Sequence, residues 1–271
     1  MHPRIAVNQI CFPGASLDTL AGYWRALDAR RVSFVSPTVL VDDLSPVQRA
    51  LADGDRRVET ITHVFLPGQH LSPDPASWQS GREQLAKLIR HAKALGAQSI
   101  YLITGGHGTL TWEEAADAFS AAVAPCVAQA RDACIALMIE NAPPLYADVH
   151  LAHSLRDTVT LAQMAGIGVC IDLFACWTEA GLRDSIERAV PRCAVIQVGD
   201  YVYGDRALPS RAVPGDGHIP LQRLIGWALD AGYAGAFDLE LLGPRIDREG
   251  HLAATARAAE RVGAILQALG A

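Results

Sequence analysis

Four polar residues stand at or near the ends of short apolar runs in the second half of this 271-residue chain. Glu140 closes ALMIE (136–140), Asp172 lies near the end of GVCIDLF (168–174), Gln197 lies within AVIQVG (194–199), and Glu240 falls near the end of AFDLELL (236–242). Taken singly, a strand-end acid caps a helix or pairs with an arginine. Taken together, three carboxylates converging on one place without a cation would repel and raise one another's pKa values. A bound divalent cation relieves that conflict. An all-oxygen donor set suits Mg2+ or Mn2+, and with no His or Cys at these four positions a zinc site is disfavoured.

Whether the four converge depends on the elements that carry them. Four more apolar runs precede them: RIAVNQI (4–10), RVSFVS (31–36), VETITHVFL (58–66) and SIYLIT (99–104). Most of the eight runs are aliphatic or β-branched almost throughout, as strands buried on both faces must be. Segments of helical spacing separate them, at 17–26, 43–51, 78–95, 111–130, 152–165, 182–190, 221–231 and 253–269. Thr111 and Glu114 form a capping box, and Phe119, Val123, Val127 and Ala130 then share one face of a helix expected to bend at Pro125. Eight strand and helix pairs without a linker or a shift in composition predict parallel strands joined by helical crossovers. The economical solution is a (β/α)8 TIM barrel as a single domain over residues 1–271, with an open doubly wound sheet as the rival. In such a barrel the C-terminal strand ends share one mouth, so consecutive strands five to eight would present Glu140, Asp172, Gln197 and Glu240 together.

Composition narrows the function classes. Half the residues are apolar and 19% are charged, which excludes a disordered chain, and no apolar run approaches the ~20 residues of a membrane span. The formal net charge of −6 argues against affinity for nucleic acid, and no membrane partner is expected. MHPRIAVNQI has no export signal, so a cytoplasmic location is expected. The six cysteines lack CxxC spacing and lie in apolar contexts, which predicts buried, reduced thiols.

Other residues near the mouth could bind a substrate. The loop from Asp200 to Pro220 is long for a βα connection and holds Tyr201 and Arg211, whose fork suits a carboxylate, a phosphate or an enolate. Phe174 and Trp177 follow Asp172 and suggest an apolar wall. His63 in the third run and His107 in GGHG are candidates to donate to a substrate oxygen. The GGHG turn lacks the spacing of a nucleotide-binding fingerprint.

Glu140-Asn141 after ALMI, IDLF with Asp172, VIQVGD, VPGDGHIPL (213–221) and FDLELLG around Glu240 occur in this order. In that order the chain resembles the sugar phosphate isomerase/epimerase family of the xylose isomerase-like TIM barrel superfamily, which includes ketose 3-epimerases, hydroxypyruvate isomerases and inosose dehydratases. The resemblance is strongest from residue 99 onward. It implies a divalent metal held by Glu140, Asp172, Gln197 and Glu240, with the two glutamates as acid and base on opposite faces of the substrate. It also implies a substrate-binding role for Arg211. Two positions depart from the family: Gln197 stands where His is common, and Ala175 stands where a substrate-binding His is common.

The expected activity is a divalent-metal-dependent isomerase or epimerase acting on a sugar or carbonyl-containing polyol through an enediolate. A lyase or dehydratase acting on a sugar derivative or glycoside, and a non-catalytic ligand-binding barrel, are the alternatives. The partner is a small molecule, and a homo-oligomer is compatible with the sequence. An abasic-site endonuclease shares the barrel, but it needs a zinc cluster and a basic face that this chain lacks.

Overall fold

A computed structural model describes residues 1–271. The strands are β1 (Ile5–Asn8), β2 (Arg31–Val35), β3 (Arg57–Val64), β4 (Ser99–Ile103), β5 (Ala136–Glu140), β6 (Gly168–Asp172), β7 (Cys193–Val198) and β8 (Ala236–Leu239). They pair in parallel and in sequence order, and β8 returns to β1 through Ile5 beside Phe237, which closes the barrel. All eight expected runs are strands, and the open sheet is excluded.

The crossovers follow the apolar spacing. Helix Leu17–Ala26 starts at Ser16, whose side chain accepts from the Thr19 N–H. Helix Trp112–Asp132 starts at the expected Thr111–Glu114 capping box and runs on through Pro125. Gly166, at φ 68°, ends helix Leu155–Ala165 in the left-handed conformation that glycine adopts without strain. The segment at 43–51 is also a helix, Ser45–Ala52.

The pleat divides each strand between two cores. Phe34, Ile61, Leu102, Ile139, Ile171 and Phe237 point outward into the main core beneath the helices, where Trp24 meets Phe34 edge-on at 5.6 Å and Phe119 meets Phe65 at 6.0 Å. The alternate residues Tyr101, Met138, Cys170 and Val195 point inward as a small second core. Opposite them the interior is polar: Asn8 and Ser33 donate to Asp238 at 2.8 and 2.9 Å. Burial pushes the Asp238 carboxyl up to about 7, against those two donors.

All six cysteines are free thiols. Cys134 corrects the expectation of uniform burial: it is exposed, at φ 58°, in the turn that leads into β5.

Candidate active site at the barrel mouth

Strand alternation carries the expected residues to one end of the barrel. Glu140 and Asp172 close β5 and β6, Gln197 is inward on β7 beside Asp172 in register, and Glu240 follows β8 directly. All four are buried. Glu140, Asp172 and Glu240 line a cavity of about 280 Å3, with Thr62, Val64, Tyr101, Ile103, Tyr146 and His150 around its wall. That is just below the usual range for small-molecule sites, roughly 300–1,000 Å3, and suits a small substrate.

The cation among these carboxylates is a side chain. Arg211 donates from Nη1 to Asp172 Oδ1 at 3.0 Å and from Nη2 to Asp172 Oδ2 at 2.8 Å, and Nη2 also reaches Glu240 Oε1 at 3.0 Å. Its guanidinium carbon lies 4.5 Å from the Phe174 ring centroid. Burial disfavours the arginine charge, but Asp172 and Glu240 outweigh it and raise its pKa. The two plain explanations of a strand-end acid both hold for Asp172, because Oδ1 also accepts from the Phe174 N–H at 3.0 Å and caps the turn Leu173–Cys176.

The loop after β7 is built to deliver this arginine. Asp200 accepts four backbone N–H groups: Tyr201 and Ile219 on Oδ1, Gly215 and Gly217 on Oδ2, at 2.8–3.0 Å. Ala212 exchanges backbone hydrogen bonds with Asp200, and the Arg211 N–H donates to Leu242 O at 3.1 Å. Gly199 makes room for the side chain, since a Cβ there would stand 2.9 Å from Glu240 O and 3.2 Å from Arg211 Cδ.

Gln197 donates from Nε2 to Tyr101 Oη at 3.0 Å and, through a very short contact, to Glu240 Oε2. Its Oε1 accepts only the Cys170 thiol, at 3.6 Å. Burial, then the charges of Glu240 and Asp172, hold Glu140 well above the usual carboxylate range. Glu140 forms no ion pair within 4.0 Å. Burial raises Glu240 as well, opposed by Arg211.

The donor set in this arrangement does not fit a divalent cation. A ligating amide must turn its oxygen toward the ion, whereas Gln197 turns its NH2 group toward Glu240. A cation bridging Asp172 and Glu240 would need the oxygens that face Arg211. No group of three or more His, Cys, Asp or Glu side chains has metal-binding geometry.

The expected substrate-binding residues separate into two sets. Arg211 and Phe174 line the cavity. His63 does not: its neighbours Thr62 and Val64 point inward, so the pleat sends His63 outward, where Nδ1 lies 3.0 Å from Ser36 Oγ. His107 is folded onto its own turn, with Nδ1 3.0 Å from Leu110 O. Trp177 and Tyr201 pack against each other at 6.2 Å and Tyr201 against Phe174 at 6.0 Å, outside the cavity wall.

Tyr101 was not singled out from sequence. Its parity on β4 was the available signal, because it shares the inward face with Ile103. His150, given no role from sequence, is placed by Nε2 at 2.8 Å from Glu140 O and Nδ1 at 3.0 Å from Thr104 Oγ1. Only the folding of the loop after β5 brings it there.

A family model described as xylose isomerase-like TIM barrel matches residues 24–262. The chain belongs to this family. Among solved structures of similar fold, a protein from Sinorhizobium meliloti 1021 is 20% identical with a TM-score of 0.86, covering 96% of this chain and 97% of its own. A structure of L-ribulose 3-epimerase is 18% identical at TM-score 0.82, covering 98% and 95%. A xylose isomerase-like TIM barrel protein from Mycobacterium smegmatis, in complex with magnesium, is 17% identical at TM-score 0.72, covering 99% and 98%. At these identities the likeness is one of fold. A comparison with curated proteins returns no match. No helix of this family member is long and apolar enough to cross a membrane.

Proposed function

We propose that this family member is a small-molecule isomerase or epimerase that moves a proton on the carbon beside a carbonyl, through an enediolate. The observation that carries the reading is the pair Glu140 and Glu240 facing one cavity in unlike surroundings. Two carboxyls divide acid and base roles when their environments separate their pKa values. Glu140, buried without an ion pair and so held above the usual carboxylate range, is the acid. Glu240, held by Arg211 and Gln197, is the base, and each of its oxygens keeps a second lone pair for a proton.

In the forward step Glu240 takes the proton from a hydroxyl-bearing carbon. The C–H electron pair becomes the C=C bond, the carbonyl π pair moves to oxygen, and Glu140 gives its proton to that oxygen. For an isomer, the Glu240 proton then returns to the neighbouring carbon while Glu140 takes the proton of the other hydroxyl. For an epimer, Glu140 instead keeps its proton at the first step, the oxygen stays an enolate beside Arg211, and Glu140 then protonates the same carbon from the other face. Family membership and an epimerase of the same fold support the reaction class. Magnesium in another barrel of this fold is the argument for a divalent metal, but the donor set of this chain does not fit one, so no step is assigned to it.

The apolar side chains Val64, Ile103, Leu208 and Leu242 on the cavity wall favour a second reading, in which the same intermediate expels a leaving group. Incubation with a panel of hydroxy-carbonyl compounds in D2O, followed by NMR, tests both. Deuterium uptake beside the carbonyl, reduced at least about 100-fold in Glu140→Gln and Glu240→Gln, is the expected result. Elimination products point to the second reading. Uptake that persists in both variants sinks the assignment of these carboxyls.

A further inference from the structure

We infer that Arg211 is the permanent cation of this site, standing where the sequence resemblance implies a divalent metal, and that the protein neither binds nor requires a metal among Glu140, Asp172, Gln197 and Glu240. The inference rests on the proposed proton transfer only for the part Arg211 plays in chemistry. The binding claim rests on geometry alone.

Three observations converge. The guanidinium bridges two of the four implied ligands through three charge-assisted hydrogen bonds of 2.8–3.0 Å, so a metal ion at these oxygens would sit beside a fixed positive charge and be repelled by it. Gln197, the position where the family commonly has His, directs its two donors to Glu240 and Tyr101, and turning the amide over would set its oxygen against the Glu240 carboxylate. Arg211 is also held from outside the acid cluster. Its backbone is bonded to Leu242, its neighbour Ala212 is paired with Asp200, its guanidinium stacks on Phe174, and Gly199 leaves space for its stem. An arginine fastened at both ends is part of the architecture.

The consequence is chemical. A guanidinium stabilises a developing enolate oxygen with oriented N–H donors, without ligand exchange at a metal. Arg211 lines the cavity beside Glu240, so a substrate carbonyl seated there meets the cation and the base from one side.

The test is Mn2+ binding to chelator-treated full-length protein, followed by electron paramagnetic resonance and calorimetry. Wild type should show no saturable site up to millimolar Mn2+. Arg211→Met, which frees the carboxylates, should bind at least about tenfold more tightly than wild type. The wild-type measurement stands even where that variant does not fold, and Arg211→Lys serves as a second variant that keeps a cation and should remain unable to bind Mn2+. One Mn2+ per wild-type chain at micromolar affinity, lost in Glu240→Gln, overturns the inference. The proposed function fails on a different readout: if no hydroxy-carbonyl compound takes up deuterium, that reading falls while the Mn2+ result stands.

Discussion

Arg211 and Asp172 face each other as a two-pronged ion pair, Nη1 to Oδ1 at 3.0 Å and Nη2 to Oδ2 at 2.8 Å, with both side chains buried. Removing Asp172 alone leaves the buried Arg211 one of its three hydrogen bonds, to Glu240, while removing both partners leaves no buried guanidinium to compensate. Asp172→Ala should therefore cost about 3–5 kcal/mol in urea unfolding. Asp172→Ala combined with Arg211→Met should cost at least about 1 kcal/mol less than the sum of the single variants. Strict additivity would mean that the two side chains do not depend on each other.

Gly199 sits under the arginine stem, and a methyl group there would press on the Glu240 carbonyl, which is backbone and cannot rotate aside. We expect Gly199→Ala to lose about 1–3 kcal/mol, the usual range for overpacking, and to lower deuterium uptake by displacing Arg211. Unchanged stability and unchanged uptake together would remove Gly199 from the account.

Asp200 collects four N–H groups that have no other partner to organise the loop. Replacing it with Ala leaves those donors to water and should cost about 2 kcal/mol or more. Hydrogen exchange at Gly215, Gly217 and Ile219 should accelerate well before global unfolding. Protection equal to wild type at these amides would show that the loop is held by something else.

His63 is buried against Ser36 with its Nε2 unpartnered, and burial lowers its pKa to about 4. The neutral ring is the folded form, so its contribution is intact above the unfolded value of 6.5 and is lost as pH falls toward 4. A gap of about 2.5 units corresponds to about 3 kcal/mol. Thermal midpoints should fall from pH 7 to pH 4, and His63→Gln should flatten part of that fall. An identical slope in the variant would assign the acid sensitivity to other groups.

How much of this was legible beforehand follows the range of the interactions. The barrel was legible because each strand and crossover announces itself locally, through continuous apolar runs, helical spacing and the cap at Thr111. The meeting of Glu140, Asp172, Gln197 and Glu240 was legible because a closed parallel barrel places all C-terminal strand ends at one mouth. The strand-end acids followed from that rule, and so did the inward face that carries Tyr101, had parity been read through every strand. Parity also sets His63 apart, since it lies between Thr62 and Val64 and must face the other way.

Tertiary structure alone decided what holds the acids. Arg211 is 39 residues from Asp172 in sequence and on a loop, and nothing local sets the path of that loop. Asp200, Gly199, Leu242 and Phe174 set it, from three separate segments. The same holds for Gln197, whose type suits either a ligand or a donor and whose neighbours Tyr101 and Glu240 make it a donor. Strand ends are positioned by a repeating backbone pattern that a sequence records residue by residue. The partner of a buried charge is chosen by contacts between distant segments, and these exist only once the chain has folded.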